Sequence, residues 1–265
     1  MELIIHSPNN PIFCQIFDLT IRWYGIFLTI ALFCGVLLSY FLIKKRYQEK
    51  DADAFLDISP LLILFSIIGA RLFYVVGDWE FYSKNLNEIF LINHGGISIY
   101  GGIIFGLIFS NLYAYFKKFN PLKYLDIFAI ALPLAQSIGR WGNFFNQEAY
   151  GKPSNCFLKL YISPENRLSQ YKNVDYYHPV FLYESILDFI VFLTLLTLFL
   201  KFKNLRKGIL TCLYLIIYAI IRFFLEYVRT DSVLDCFGLH VAQVISLGFI
   251  IVSLIVLVLI NKKGG

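Results

Sequence analysis

The chain has 265 residues, of which 58% are hydrophobic and only 15% charged, against about 25% charged in an ordinary soluble domain. The formal net charge is +5, but the basic residues stand in short clusters between apolar runs rather than on one surface. That placement excludes a nucleic-acid-binding role and fits membrane topology instead. The composition describes a single polytopic membrane domain, residues 1–265.

The first twenty residues include His6-Ser7-Pro8-Asn9-Asn10-Pro11 and lack a basic stretch before an apolar run. No cleavable signal peptide is expected, and the first helix acts as an uncleaved anchor. Uncharged runs at Trp23–Ile43 and Gly95–Phe116, and the run Cys236–Ile260, reach the length of roughly 20 residues that a spanning helix needs. In chain order, seven helices are predicted, at about 22–43, 57–76, 96–116, 124–139, 182–200, 208–228 and 239–260. The fold expected is an all-α integral membrane protein with seven transmembrane helices.

Basic residues then orient it. Lys44, Lys45, Arg46 and Lys50 follow the first predicted helix, and Lys117, Lys118 and Lys123 the third. Lys201, Lys203, Arg206 and Lys207 follow the fifth, and Lys262 and Lys263 the seventh. Positive loops stay in the cytoplasm, so the N-terminus is expected to be periplasmic and the C-terminus cytoplasmic. The longest connection, about 140–178, carries Pro, Asn and Ser and is expected to form a small periplasmic cap.

The remaining polar residues gather at the outer level. Tyr24 opens the first predicted helix, Arg71 nears the end of the second, and Tyr100 the start of the third. Arg140 ends the fourth, His178 and Glu184 begin the fifth, and Arg222 and Arg229 end the sixth. Ionisable groups within membrane helices are costly and face the bundle interior or a water-filled cavity. Tyr218, Arg222, Glu226 and Arg229 are spaced 4, 4 and 3, on one helical face. An interfacial stripe of snorkelling arginines is the plain alternative. Arg222, however, follows fourteen uncharged residues, and its fork of donors suits phosphate oxygens.

The densest segment is Ser137 to Gly151, which holds Arg140, Asn143, Asn146 and Glu148 between glycines. Arg140 is placed to hold a phosphate, the two Asn to donate hydrogen bonds, and Glu148 to orient them or accept a proton. The segment His94 to Gly106 carries five glycines, which more often mark close helix packing than catalysis. His178, beside Pro179, serves either as a turn residue or in acid–base work. The five cysteines show no CxxC or metal spacing. Cys14, Cys34 and Cys212 read as apolar fillers, and pairing of Cys156 with Cys236 is left open. There is no P-loop, GxSxG or HExxH. Arginines, amides, Tyr and Glu at membrane level fit an anionic lipid headgroup and a departing phosphate. A lipid or anion transporter would instead spread polar groups through the membrane depth, and an insertase-like protein would not need the Asn and Glu.

Gly139-Arg140-Trp141-Gly142-Asn143-Phe144-Phe145-Asn146-Gln147-Glu148-Ala149-Tyr150-Gly151 closely resembles the signature of the prolipoprotein diacylglyceryl transferase family. Arg22-Trp23-Tyr24-Gly25, Gly69-Ala70-Arg71, His178 to Glu184, and Tyr218 through Arg229 match further family segments in the family's order. The resemblance implies seven helices in the bacterial inner membrane, with the active site towards the periplasmic leaflet. It implies no metal and no cofactor. The implied partners are phosphatidylglycerol, membrane lipids and prolipoprotein signal peptides with a lipobox cysteine. The implied reaction moves diacylglyceryl to that cysteine, leaves glycerol phosphate, and is the first step of lipoprotein maturation. Carried over by position, Arg140 and Arg222 are the phosphate-binding arginines. Asn143, Asn146, Glu148, Gly151, Tyr24, Tyr218, Glu226 and Arg229 fall at other site positions. One departure matters: where the family often has a histidine before Gly-Gly, this chain has Tyr100. A tyrosine hydroxyl is a poor base at neutral pH, so Tyr100 is expected to bind lipid mainly, and His178 or Glu148 to take the thiol proton.

Overall fold

The computed structural model describes residues 2–8, 10–17, 19–91, 95–117, 124–230, 235–236 and 238–262. His94, Lys118, Lys123 and Lys263 lie outside the described residues. So does the side chain of Cys236, and with it the Cys156–Cys236 question. Three short strands open the chain: β1 (Leu3–His6), β2 (Ile12–Ile16) and β3 (Leu19–Arg22). Helices α1 (Trp23–Arg46), α2 (Glu49–Gly77), α3 (Trp79–Tyr82), α4 (Ile99–Lys117) and α5 (Leu125–Asn146) follow. Then come β4 (Leu158–Tyr161), β5 (Tyr176–Tyr177), α6 (Val180–Lys201), α7 (Ile209–Leu225), β6 (Asp235–Cys236), β7 (Leu239–His240) and α8 (Val241–Lys262).

A helix occupies each of the seven predicted stretches, and three boundaries differ for physical reasons. α2 starts at Glu49, not near 57, because Gln48 and Asp51 form a capping box, with Gln48 N–H donating to Asp51 Oδ2 at 3.1 Å. α5 runs on to Asn146, past the predicted end at 139. Gly139 and Gly142 look like loop signals but lie within the helix, Gly142 against the Tyr24 ring. α7 stops at Leu225, so Glu226 and Arg229 occupy the turn after the helix rather than its last turn. α1, α2, α6 and α8 are each long and apolar enough to cross a membrane. α4 over Tyr100–Tyr113 and α7 are apolar but shorter. The apolar run of α5 is interrupted by the polar residues Gln136, Ser137, Arg140 and Asn143, although the helix itself is continuous. Large apolar side chains such as Phe33, Leu107 and Val252 are exposed, as lipid-facing groups are.

The chain divides into two compact units, Met1–Gly35 with Leu125–Gly265, and Val36–Tyr124. In the first, α5, α6 and α7 pack together. Ser137 and Ser185 hydroxyls donate to each other's backbone carbonyl at 2.8 and 2.9 Å, stitching α5 to α6. β1 pairs in parallel with β4, and β4 antiparallel with β5. Under this sheet lies a small core of Phe144, Tyr150, Leu160, Ile162, Tyr177 and Phe181. Tyr177 is fully buried and its hydroxyl meets the Tyr171 and Val174 carbonyls at 2.9 Å, so its polar atom is satisfied. At the opposite end of the helices, Asp126 accepts from Gly208 N–H at 2.8 Å and from Thr211 N–H at 2.9 Å. It thereby caps α7.

The second unit is built on α2 against α4. A Cβ at Gly69 would strike the Phe105 ring, and one at Gly101 would strike the Gly69 carbonyl and Phe73. The glycines read from the sequence as packing residues therefore let two backbones touch. Arg71, 4% exposed, fastens the segment before α4. Its guanidinium donates to the carbonyls of Ile89 at 3.0 Å, Gly95 at 2.6 Å and Gly96 at 2.7 Å, and also to Glu88 and Leu91.

Candidate active site

The site forms in the first unit where α1 begins, α5 ends, α6 begins and α7 ends. Arg140 is on the last turns of α5, and its Nε lies 2.7 Å from Glu184 Oε2. Glu184 is near the start of α6, in its second turn, and its other oxygen accepts from Arg229 Nη1 at 2.8 Å. One buried carboxylate thus bridges two guanidiniums from different elements. Arg222 Nη1 lies 2.7 Å from Glu226 Oε2. The side chains of Arg140 and Arg222 are each 23% exposed, whereas Glu184 and Glu226 are almost entirely enclosed. Tyr218 interacts electrostatically with Arg140, Glu184 and Arg222, so the two arginine pairs belong to one cluster. Asp188, one turn further along α6 and 3% exposed, interacts with Arg140 and Glu184.

The signature segment supplies the second wall. After α5, Gln147 and Ala149 take left-handed backbone angles, φ 52° and 51°, which non-glycine residues adopt at a cost. That turn folds Glu148 back so that its Oε1 accepts from Asn143 at 2.9 Å and from Asn146 at 3.4 Å. Gln147 holds the turn by accepting the Ser163 N–H at 2.7 Å. Tyr24 interacts electrostatically with both Glu148 and Arg140. It lies against Gly142, where a Cβ would come within 2.9 Å of the tyrosine ring. Trp23 stacks on Phe145 with centroids 4.8 Å apart, fixing the start of α1 to the end of α5.

Gly151 serves the backbone. Its N–H donates to the His178 carbonyl at 2.9 Å, and it bridges to Arg229. A Cβ there would stand 2.7 Å from His178 Cβ and 3.0 Å from the Val228 carbonyl. Glycine is the residue that lets the segment carrying Arg229 approach. The His178 ring turns to Tyr183, with Nδ1 3.4 Å from its hydroxyl, and burial lowers its pKa below the usual value. Tyr100 belongs to the second unit, on the first turn of α4, and is 65% exposed.

The structure therefore brings together Tyr24, Arg140, Asn143, Asn146, Glu148, Tyr218, Arg222, Glu226 and Arg229, with Gly151 behind them. His178 joins through its backbone, and Tyr100 is described only within its own unit. Sequence reasoning did not single out Glu184 as the hub. Its signal was present: Glu184 and Asp188 are two carboxylates four residues apart in an otherwise apolar helix, a pattern that requires buried cations nearby.

The hydrogen-bond accounting of the cluster is unusual. Among the described residues, five buried side-chain polar atoms lack a hydrogen-bond partner, and four of them are here: Asn146 Oδ1, Glu184 Oε2, Arg222 Nη1 and Glu226 Oε2. The arginine–glutamate contacts at 2.7 Å are charge pairs whose N–H groups do not point at the oxygens. Buried polar groups are nearly always satisfied, and this concentration makes the cluster the candidate site among the described residues. No group of three or more His, Cys, Asp or Glu that could hold a metal occurs among the described residues.

Residues 11–259 match the family model described as prolipoprotein diacylglyceryl transferase. A phosphatidylglycerol–prolipoprotein diacylglyceryl transferase of Clostridium novyi is 41% identical over 257 residues, covering 96% of this chain and 97% of its own. One from Finegoldia magna is 41% identical, covering 94% and 95%, and one from Acaryochloris marina is 39% identical, covering 92% and 88%.

Proposed function

The chain belongs to the prolipoprotein diacylglyceryl transferase family, and from that premise we propose that it transfers diacylglyceryl from phosphatidylglycerol to the lipobox cysteine of a prolipoprotein. This is the first step of lipoprotein maturation. The observation that carries the reading is the cluster of three arginines against two buried glutamates, with its unsatisfied polar atoms. In the reaction the cysteine sulfur attacks the glyceryl carbon next to the phosphate ester. The C–S bond forms, the C–O bond breaks, and glycerol phosphate leaves with the electron pair. Arg140 and Arg222 take up the charge that grows on the departing phosphate. Their glutamate partners balance both charges without consuming the donors.

A thiol titrates near 8.5 and attacks as thiolate. Arginine does not act as a base at neutral pH, so a carboxylate or histidine takes the proton. Glu148 and His178 are the groups assigned, and Glu148 is the better placed, since it interacts with Tyr24 beside Arg140. Tyr100 is assigned to lipid binding, together with Tyr24, Asn143, Asn146, Gly151, Tyr218, Glu226 and Arg229.

The protein is placed in the bacterial inner membrane as one membrane domain with seven spans, N-terminus periplasmic and C-terminus cytoplasmic. What supports this is the chain's two ends of charge. The arginine–glutamate cluster sits at one end of α5, α6 and α7. Lys201 ends α6 and Lys203, Arg206 and Lys207 lie between α6 and α7 at the other end, where Arg206 Nη1 donates to the Ile260 carbonyl of α8 at 3.0 Å. The positive-inside rule makes the basic end cytoplasmic, so the site opens to the periplasmic leaflet and the sheet over residues 140–178 forms a periplasmic cap. Reporters fused after Lys45 or Lys203 are expected to read cytoplasm, and one inserted near Ser163 to read periplasm. The activity is tested by incubating the purified protein with phosphatidylglycerol and a lipobox peptide. Mass spectrometry should find the thioether, and a Cys-to-Ser peptide should give none.

A further inference from the structure

Arg140 and Arg222 account for a phosphate, but three of the four atoms without a hydrogen bond are not donors waiting for an anion. Glu184 Oε2, Glu226 Oε2 and Asn146 Oδ1 are acceptors, and a phosphodiester has no proton to give them. The two glutamate oxygens each face a guanidinium at 2.7 Å without a hydrogen bond, and Asn146 Oδ1 has no partner, so all three can accept from a hydroxyl or amine. We propose that these acceptors read the free hydroxyls of the glycerol headgroup, and so make Glu184 and Glu226, with Asn146, the residues that choose a phosphatidyl-diol over other phospholipids. The inference rests on the reading of the protein as a transferase using phosphatidylglycerol.

The arrangement couples phosphate capture to headgroup recognition. Each glutamate oxygen stands 2.7 Å from the guanidinium that is assigned to the phosphate. A phosphate draws that guanidinium towards itself and uncovers the carboxylate oxygen, which then accepts from the neighbouring hydroxyl. Glu184 is suited to this double duty because its two oxygens are divided. Oε1 is committed to Arg229 by a 2.8 Å hydrogen bond, which keeps the carboxylate in place while Oε2 changes partner. A lipid without headgroup hydroxyls leaves the uncovered oxygens without donors. Sites built to bond a hydroxyl reject analogues lacking it strongly, because buried polar groups are then left unpaired.

The test compares two lipids in mixed micelles with one lipobox peptide: phosphatidylglycerol and phosphatidylpropanol, which keeps the phosphodiester and three headgroup carbons but has no hydroxyl. The wild type is expected to favour phosphatidylglycerol by about 100-fold or more in kcat/KM. In Glu184→Gln, the amide oxygen faces Arg229 and an N–H donor replaces the acceptor at Oε2. Both lipids then react more slowly, but their ratio should fall below about 10-fold. Glu226→Gln should lower the ratio in the same direction. A residue that only holds the fold slows both lipids equally and leaves the ratio where it was. Equal turnover of the two lipids by the wild type overturns the proposal without any variant, as does an unchanged ratio in both Gln variants. A wild type that makes no thioether from phosphatidylglycerol refutes the transferase reading instead.

Discussion

Arg71 and Arg140 occupy similar places in the sequence, each within an apolar helix near its end, yet the two units use them in opposite ways. In the unit built on α2 and α4, Arg71 has hydrogen bonds from its guanidinium to five backbone carbonyls. It is a fastener for the chain before α4. In the unit built on α5, α6 and α7, Arg140 is neutralised by Glu184 at 2.7 Å, and that oxygen has no hydrogen bond. Its charge is compensated while its donors stay available. A buried arginine whose donors are spent is a structural part, and one whose charge alone is balanced is prepared for an anion.

The sharpest way to break this comparison is to replace each arginine by lysine, which keeps the charge and removes the fork. Arg140→Lys and Arg222→Lys are expected to lose about 10²- to 10³-fold in kcat, the cost of removing a donor to developing charge, with little change in thermal midpoint. Near-normal turnover by both folded variants would sink the phosphate assignment. Arg71→Ala should do the reverse. Leaving its carbonyls without a partner is expected to cost about 3 kcal/mol, seen as a lower midpoint in detergent and faster amide hydrogen exchange over residues 88–91 and 95–98.

Glycines extend the contrast at a smaller scale. Gly101→Ala puts a methyl into the Gly69 carbonyl and should cost about 1–3 kcal/mol by forcing α2 from α4. Gly151→Ala meets the Val228 carbonyl at 3.0 Å and displaces the segment that carries Arg229. Its expected signature is a drop in kcat/KM larger than its drop in midpoint accounts for. If both substitutions acted through stability alone, the distinction between a packing glycine and a site glycine would fail here.

The sequence made the polar level legible because charges inside apolar runs stand out individually. Arg140, Arg222 and Glu226 announce themselves by depth and by helical spacing. Two things were not legible. The ends of α2 and α5 were misplaced because local signals mislead there: charged residues that open α2 resemble a loop, and Gly139 and Gly142 resemble a break. Partner choice was hidden as well. Nothing near Glu184 in the chain says that it meets Arg140 and Arg229, each more than forty residues away, just as nothing in β1 says that it pairs with β4. These contacts are decided by packing.

The smallest expected effect is a pH dependence confined to the α5–α7 unit. Burial lowers the His178 pKa, so the unfolded chain binds a proton more readily than the folded one. Stability from this group is therefore fully present above the unfolded value, about 6.5, and declines as pH falls below it. The thermal midpoint of the wild type should drop more between pH 7.5 and 5 than that of His178→Gln, and Arg71→Lys should leave the difference unchanged. The same titration separates the two proton acceptors. If His178 takes the thiol proton, kcat/KM rises with pH through a limb lying below 6.5, and His178→Gln abolishes it. If the limb survives in His178→Gln and is lost in Glu148→Gln, the proton goes to Glu148. The His178 ring is turned to Tyr183, whereas Glu148 is held by Asn143 and Asn146 and interacts with Tyr24. That difference makes survival of the limb in His178→Gln the expected outcome.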